Sequence, residues 1–84
     1  MKQIDAALEK KLRAKPDAHV RLIVRTSRPP GEVSTLLAEK GLRVLRSSSL
    51  INAVTVEGTA QSALRLCDED WVAHIEEDKT VRIQ

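Results

Sequence analysis

Aromatic side chains are nearly absent: Trp71 stands alone, with no Phe and no Tyr. The ring platform on which single-stranded nucleic acid stacks is therefore missing, and the core must be built from Leu, Ile, Val and Ala. Cys67 is the single cysteine, which excludes an internal disulfide and says nothing of redox compartment. The three glycines, Gly31, Gly41 and Gly58, are isolated from one another, so there is no glycine-rich loop to cradle a phosphate. Only two histidines occur, His19 and His74, far apart and outside any metal-ligand spacing, so neither a metal nor a cofactor is expected. No apolar run is long enough for a signal peptide or a membrane span. The expectation is a cytoplasmic chain or a piece of a longer secreted precursor, with no membrane partner. A dominant charge sign is lacking too, since 14 Lys and Arg stand against 12 Asp and Glu. Basic and acidic residues are interleaved, which argues against nucleic acid as a partner.

What remains is a chain of 84 residues, 42% hydrophobic and 31% charged. These values belong to small folded domains rather than to disordered chains. A domain this short buries a modest core, so its net stability is expected to be on the order of 3 to 5 kcal/mol.

Periodicity divides the chain. Ile4, Ala7, Leu8 and Leu12 recur at helical spacing, so residues 5–14 read as a short amphipathic helix stopped by Pro16 and Asp17. Residues 1–16 are thus a leading helical segment, either packed over the edge of a domain spanning residues 17–84 or serving as a basic partner-binding helix. HVRLIVR at 19–25 alternates, with Val20, Leu22 and Val24 on one side and Arg21, Ile23 and Arg25 on the other. Residues 26–31 carry loop chemistry, a helix starts at Glu32, and Gly41 supplies a left-handed cap after Lys40. Residues 42–46 and 50–57 read as two strands joined by Ser47, Ser48 and Ser49. Gly58 breaks the second of these, and Thr59 caps a helix with the stripe Ala60, Ala63, Leu64 and Cys67. Three acids, Asp68 to Asp70, oppose the helix dipole and favour an early stop. Trp71 enters the last strand, which gives way to the acids Glu76, Glu77 and Asp78.

A leading helix followed by βαββαβ predicts an α+β, ferredoxin-like sandwich: a four-stranded antiparallel sheet of order 4-1-3-2 with two helices on one face. The other face is then open and carries Arg21, Ile23, Arg25, Arg43, Leu45 and Thr55, with Ala53 among them. Such a mixture of basic and aliphatic groups is either a solvated surface or a docking surface.

No catalytic constellation emerges. Cys67 sits on an apolar stripe as a small hydrophobe, the serine run has no neighbouring base, and Glu76 and Glu77 point to opposite sides of a strand and cannot flank one bond. The chain is not expected to be an enzyme. Its most distinctive stretch is the end, Lys79 to Gln84, which has β-branched residues at Thr80, Val81 and Ile83 and neither Gly nor Pro. A β-prone end beyond the last core strand is either disordered or adds as a strand to a partner.

Four segments, VRLIVRTS, VSTLLAEKGLRVL, LINAVTV and above all VAHIEEDKTV, taken in this order and spacing, resemble the subtilisin propeptide family, which includes free-standing proteinase inhibitors. The resemblance covers residues 20–84. It implies that the open sheet face packs on two surface helices of a subtilisin-like serine protease and that the C-terminal tail fills the substrate cleft. Carried over by position, Val81, Arg82, Ile83 and Gln84 would occupy the non-primed subsites, with the Gln84 carboxylate at the catalytic serine. Glu76 and Asp78 would present negative charge to the N-termini of the protease helices. Gln84 departs from the large apolar or aromatic residue that subtilisins favour beside the scissile bond, which implies a target that accepts a polar one. The leading helix is extra to the minimal family pattern.

Two function classes follow. The first is a protease inhibitor, monomeric when free, that also acts as an intramolecular chaperone by stabilising its folded protease. The alternative is a ferredoxin-like protein–protein interaction or regulatory module without protease inhibition, because the fold alone supports many tasks.

Overall fold

A computed structural model of the chain describes residues 4–48 and 50–78. Its elements are α1 (Ala6–Ala14), β1 (His19–Thr26), α2 (Pro30–Glu39), β2 (Arg43–Ser48), β3 (Ala53–Thr59), α3 (Ala60–Leu64) with a 3-10 turn at Arg65–Asp68, and β4 (Val72–Glu77). The sheet has the order β2-β3-β1-β4, and every neighbouring pair is antiparallel. This is the expected α+β, ferredoxin-like arrangement, read from the opposite edge.

Alternation along the strands sets the core. Leu22, Val24, Val54, Val56 and Ile75 point to one face and are buried there with Val33 and Leu37 of α2 and Ala60 and Ala63 of α3. Helix α1 joins the same layer rather than lying over an edge. Its Leu8 and Leu12, with Ile4 just before it, belong to the same cluster, and it packs beside α3. Three helices therefore cover one face. Asp5 caps α1, accepting from the N–H groups of Ala7 and Leu8, and Glu9 accepts two hydrogen bonds from Arg13 one turn later. Ile4 forms a parallel bridge to Ile75, so the residue leading into α1 lies along the outer side of β4.

The chain departs from expectation in several further places. Helix α2 starts at Pro30, two residues early, because a proline at the first helical position has its φ preset and needs no N–H partner. Strand β2 runs on through Ser47 and Ser48, which pair with Val54 and Ala53. A register shift between Val44 and Arg46 inserts Leu45 as an extra residue and carries the serines into the ladder. Leu50 and Ile51, expected in a strand, lie instead in the turn, and Asn52 closes that turn at φ 49°, a left-handed conformation that asparagine tolerates. Gly58 does not break β3: the strand continues to Thr59, and a Cβ at position 58 would lie 2.8 Å from Leu42 Cδ2 and 3.2 Å from the Gly41 carbonyl oxygen. Glycine is there to let the end of α2 pass close over the sheet.

That α2 terminus has the expected left-handed cap. Gly41 has φ 88°, its N–H donates to the Ala38 carbonyl (3.0 Å), and the Leu42 N–H donates to the Leu37 carbonyl (3.1 Å), a Schellman pattern. Thr59 caps α3 by accepting from the Ser62 N–H at 3.2 Å. The acids after α3 bring the early stop, and Glu69 is retained by Lys40 and by Trp71, whose Nε1 donates to it at 3.1 Å. Trp71 itself lies one residue before β4, buried, with its carbonyl accepting from the Ser27 N–H.

Candidate functional site

The open sheet face is fixed by register. Arg21 lies opposite Glu57, Ile23 opposite Thr55 and Arg25 opposite Ala53, while across the other side of β1 Ile23 meets Glu76 and Arg25 meets His74. From β2, Arg43 is opposite Glu57, and the bulge sets Leu45 and Arg46 together against Thr55. Arg21, Ile23, Arg25, Arg43, Leu45 and Thr55 thus form one continuous surface. Ala53 belongs to it by register but is buried, apart from the main core cluster. Ile23 is half-buried and Leu45 is exposed, so aliphatic surface lies between the arginines.

Glu57 organises the charges of this face. Its Oε1 is 3.1 Å from His19 Nε2, and Arg43 and Arg21 approach it at 3.5 and 3.9 Å. An ionised carboxylate only accepts, so in this contact Nε2 carries the proton. The hydrogen bond from His19, with the charges of His19, Arg43 and Arg21 behind it, holds the Glu57 carboxyl below its ordinary value of 4.5, against an opposing effect of desolvation. A carboxyl lowered on folding stabilises the fold above its unfolded value, and that contribution is lost as pH falls through the folded one. The Glu57→Gln variant is therefore expected to lose stability more shallowly than the parent as pH is taken below about 4.5, measured by urea unfolding across that window. Parallel acid limbs would show that the cations around Glu57 do not bias its ionisation.

The sheet hands the chain on at Asp78. Its N–H donates to the Arg21 carbonyl at 3.0 Å, which extends the β1–β4 ladder one residue beyond β4. Glu76 projects from the open face, 3.7 Å from Arg25, and Asp78 follows on the same side by alternation. Glu77 projects the other way and pairs with Lys11 of α1 at 2.7 Å. Two of the three acids expected to follow the last strand are thus inside it. A groove of about 570 Å³ runs beside β4, between residues 74–78 and the first turns of α1, with Leu8, Ile23 and Ile75 among its lining. The tail residues Val81, Arg82, Ile83 and Gln84 lie outside the described residues.

Three features of this face escaped sequence reading. The Leu45 bulge, which brings Arg46 onto the face, has no composition marker. The His19–Glu57 contact joins residues 38 apart and needs the register to be seen. Leu50 and Ile51 could have been read as turn residues from Asn52, the one residue nearby that favours a positive φ. Among the described residues no group of three or more His, Cys, Asp or Glu could hold a metal ion. Compared with models of known protein families and with curated proteins, the sequence finds no match.

Proposed function

We propose that the chain is an inhibitory, propeptide-like domain of a subtilisin-like serine protease, docking through its open sheet face and inserting its C-terminal tail into the substrate cleft. The observation that carries this reading is the way the sheet ends. Strand β4 belongs to the open-faced sheet, its ladder persists to Asp78, and the six residues that follow are β-prone and free of Gly and Pro. A β-prone segment that follows directly on a sheet strand suits strand addition, in which main-chain hydrogen bonds supply affinity and alternate side chains supply specificity. Val81, Arg82, Ile83 and Gln84 would then fill the non-primed subsites, while Glu76 and Asp78 face the helix N-termini of the protease. Binding only the folded protease, the domain would also favour that state by mass action, the chaperone role of a propeptide.

Titration of a broad-specificity subtilisin with the purified chain, following hydrolysis of a small chromogenic peptide over time, tests the proposal. Stoichiometric inhibition, lasting or slowly relieved, is the expected result. Absence of inhibition across several subtilisins of differing pocket preference would overturn it. Aliphatic groups between arginines on the open face also suit a regulatory partner other than a protease, and a specific complex without inhibition would favour that reading.

A further inference from the structure

The exposed large hydrophobic residues among the described residues are Leu45, Leu50 and Ile51, and all three sit on the β2–β3 hairpin. A single exposed leucine needs no explanation, but two successive large aliphatic residues at one turn do, and Leu50 is 95% exposed and Ile51 56%. The turn does not require them. Its conformation is set by Asn52 at positive φ, whose carbonyl accepts from the Thr26 N–H at 2.8 Å and from Thr26 Oγ1 at 3.2 Å. Thr26 Oγ1 also donates to the Arg28 carbonyl at 2.6 Å, which brings the loop carrying Arg28 against the same turn. Arg46 lies on the hairpin behind it, and among the described residues neither Arg28 nor Arg46 makes an ion pair. The tip is therefore an aliphatic projection with two exposed arginines, Arg28 and Arg46, in the adjoining loop and strand.

We propose that this tip is a second anchor for the protease, seated in an apolar depression on its surface that is rimmed by carboxylates; the inference rests on the inhibitory reading above. A projection cannot pair with a flat surface, so its complement is concave, and the flanking arginines fix the charge of the rim. Through Leu45 the tip is continuous with the open face. It also lies at the corner of the sheet opposite Asp78: Asn52 meets Thr26 at one end of β1, and Asp78 meets Arg21 five residues away. Strand rise and strand spacing separate the two corners by roughly 20 Å. Engaged together, they fix the orientation of the domain on the enzyme, so that the tail enters the cleft in one register and the second contact is in effect intramolecular.

The experiment compares inhibition of a subtilisin by the parent chain, by the double variant Leu50→Ser with Ile51→Ser, and by Leu50→Ser alone. Unfolding of all three is followed in parallel. The double variant should unfold with the parent yet inhibit roughly tenfold or more weakly, chiefly through faster dissociation. Leu50→Ser alone, at a side chain almost wholly in solvent, should show part of that loss. Shortening the chain by residues 79–84 should add its own loss nearly independently, because Asp78, where the tail begins, and the tip lie at different ends of β1. Unchanged inhibition by the folded variants, with the parent inhibiting, would overturn the anchor and leave the inhibitory reading standing. Failure of the parent to inhibit any subtilisin would overturn both.

Discussion

Deletion of residues 79–84 is expected to leave the domain folded and, on the inhibitory function proposed above, to weaken inhibition of a subtilisin roughly a hundredfold or more. The first half of the expectation comes from the core. Among the described residues the buried cluster runs from Ile4 to Ile75 and forms a continuous core under the sheet without any contribution from beyond Asp78, so the deletion leaves that core intact. The second half comes from strand addition, where main-chain hydrogen bonds and a few seated side chains each contribute on the order of 1 to 3 kcal/mol, and 1.4 kcal/mol is a factor of ten. Thermal unfolding and progress curves on the two chains make the comparison. A truncated chain that inhibits as well as the parent would remove the tail from the mechanism and leave affinity to the sheet face alone.

The second large effect is expected far from any docking surface. Replacement of Leu12 by Ala should cost about 2 to 5 kcal/mol, the range for truncating a buried leucine. Leu12 is only 1% exposed, in the same cluster as Leu22, Val24 and Ile75. A domain whose whole stability is on the order of 3 to 5 kcal/mol would be brought to the edge of unfolding. Lys10→Ala on the exposed side of the helix should change stability by less than about 0.5 kcal/mol and serves as the control. Urea unfolding of the two variants decides the role of the leading helix. A loss below about 1 kcal/mol at Leu12 would mean that the helix only rests against a finished domain.

That helix marks where sequence reading reached its limit. Its existence was legible from the spacing of Ile4, Leu8 and Leu12, but whether it covers an edge or completes the core depends on α3, with which it packs. The strand order was legible because β1 alternates without interruption, and the faces of Arg21, Ile23 and Arg25 follow from parity alone. Parity failed in β2. One bulged residue at Leu45 shifts all that follows, so the serines read as a turn are strand, and Leu50 and Ile51, read as strand, are turn. Gly58 misled for another reason: the signal for a strand end and the signal for a close backbone approach are the same residue. Of the candidate site, the sheet-face residues were legible one strand at a time. The gathering of His19, Arg21 and Arg43 around Glu57 was not, because it is a property of three strands in register.

The parallel bridge from Ile4 to Ile75 bears on the margins of the sheet. An open sheet has two margins along which another copy could add and begin a fibril. On one margin the Leu45 bulge interrupts the regular spacing of hydrogen-bonding groups along β2; on the other, Ile4 lies across the middle of β4. The described residues just ahead of α1 thus shield part of a strand margin as well as leading into a helix. A chain that lost them would gain a bare strand margin at Ile75, and aggregation would become the failure to expect before loss of the fold itself.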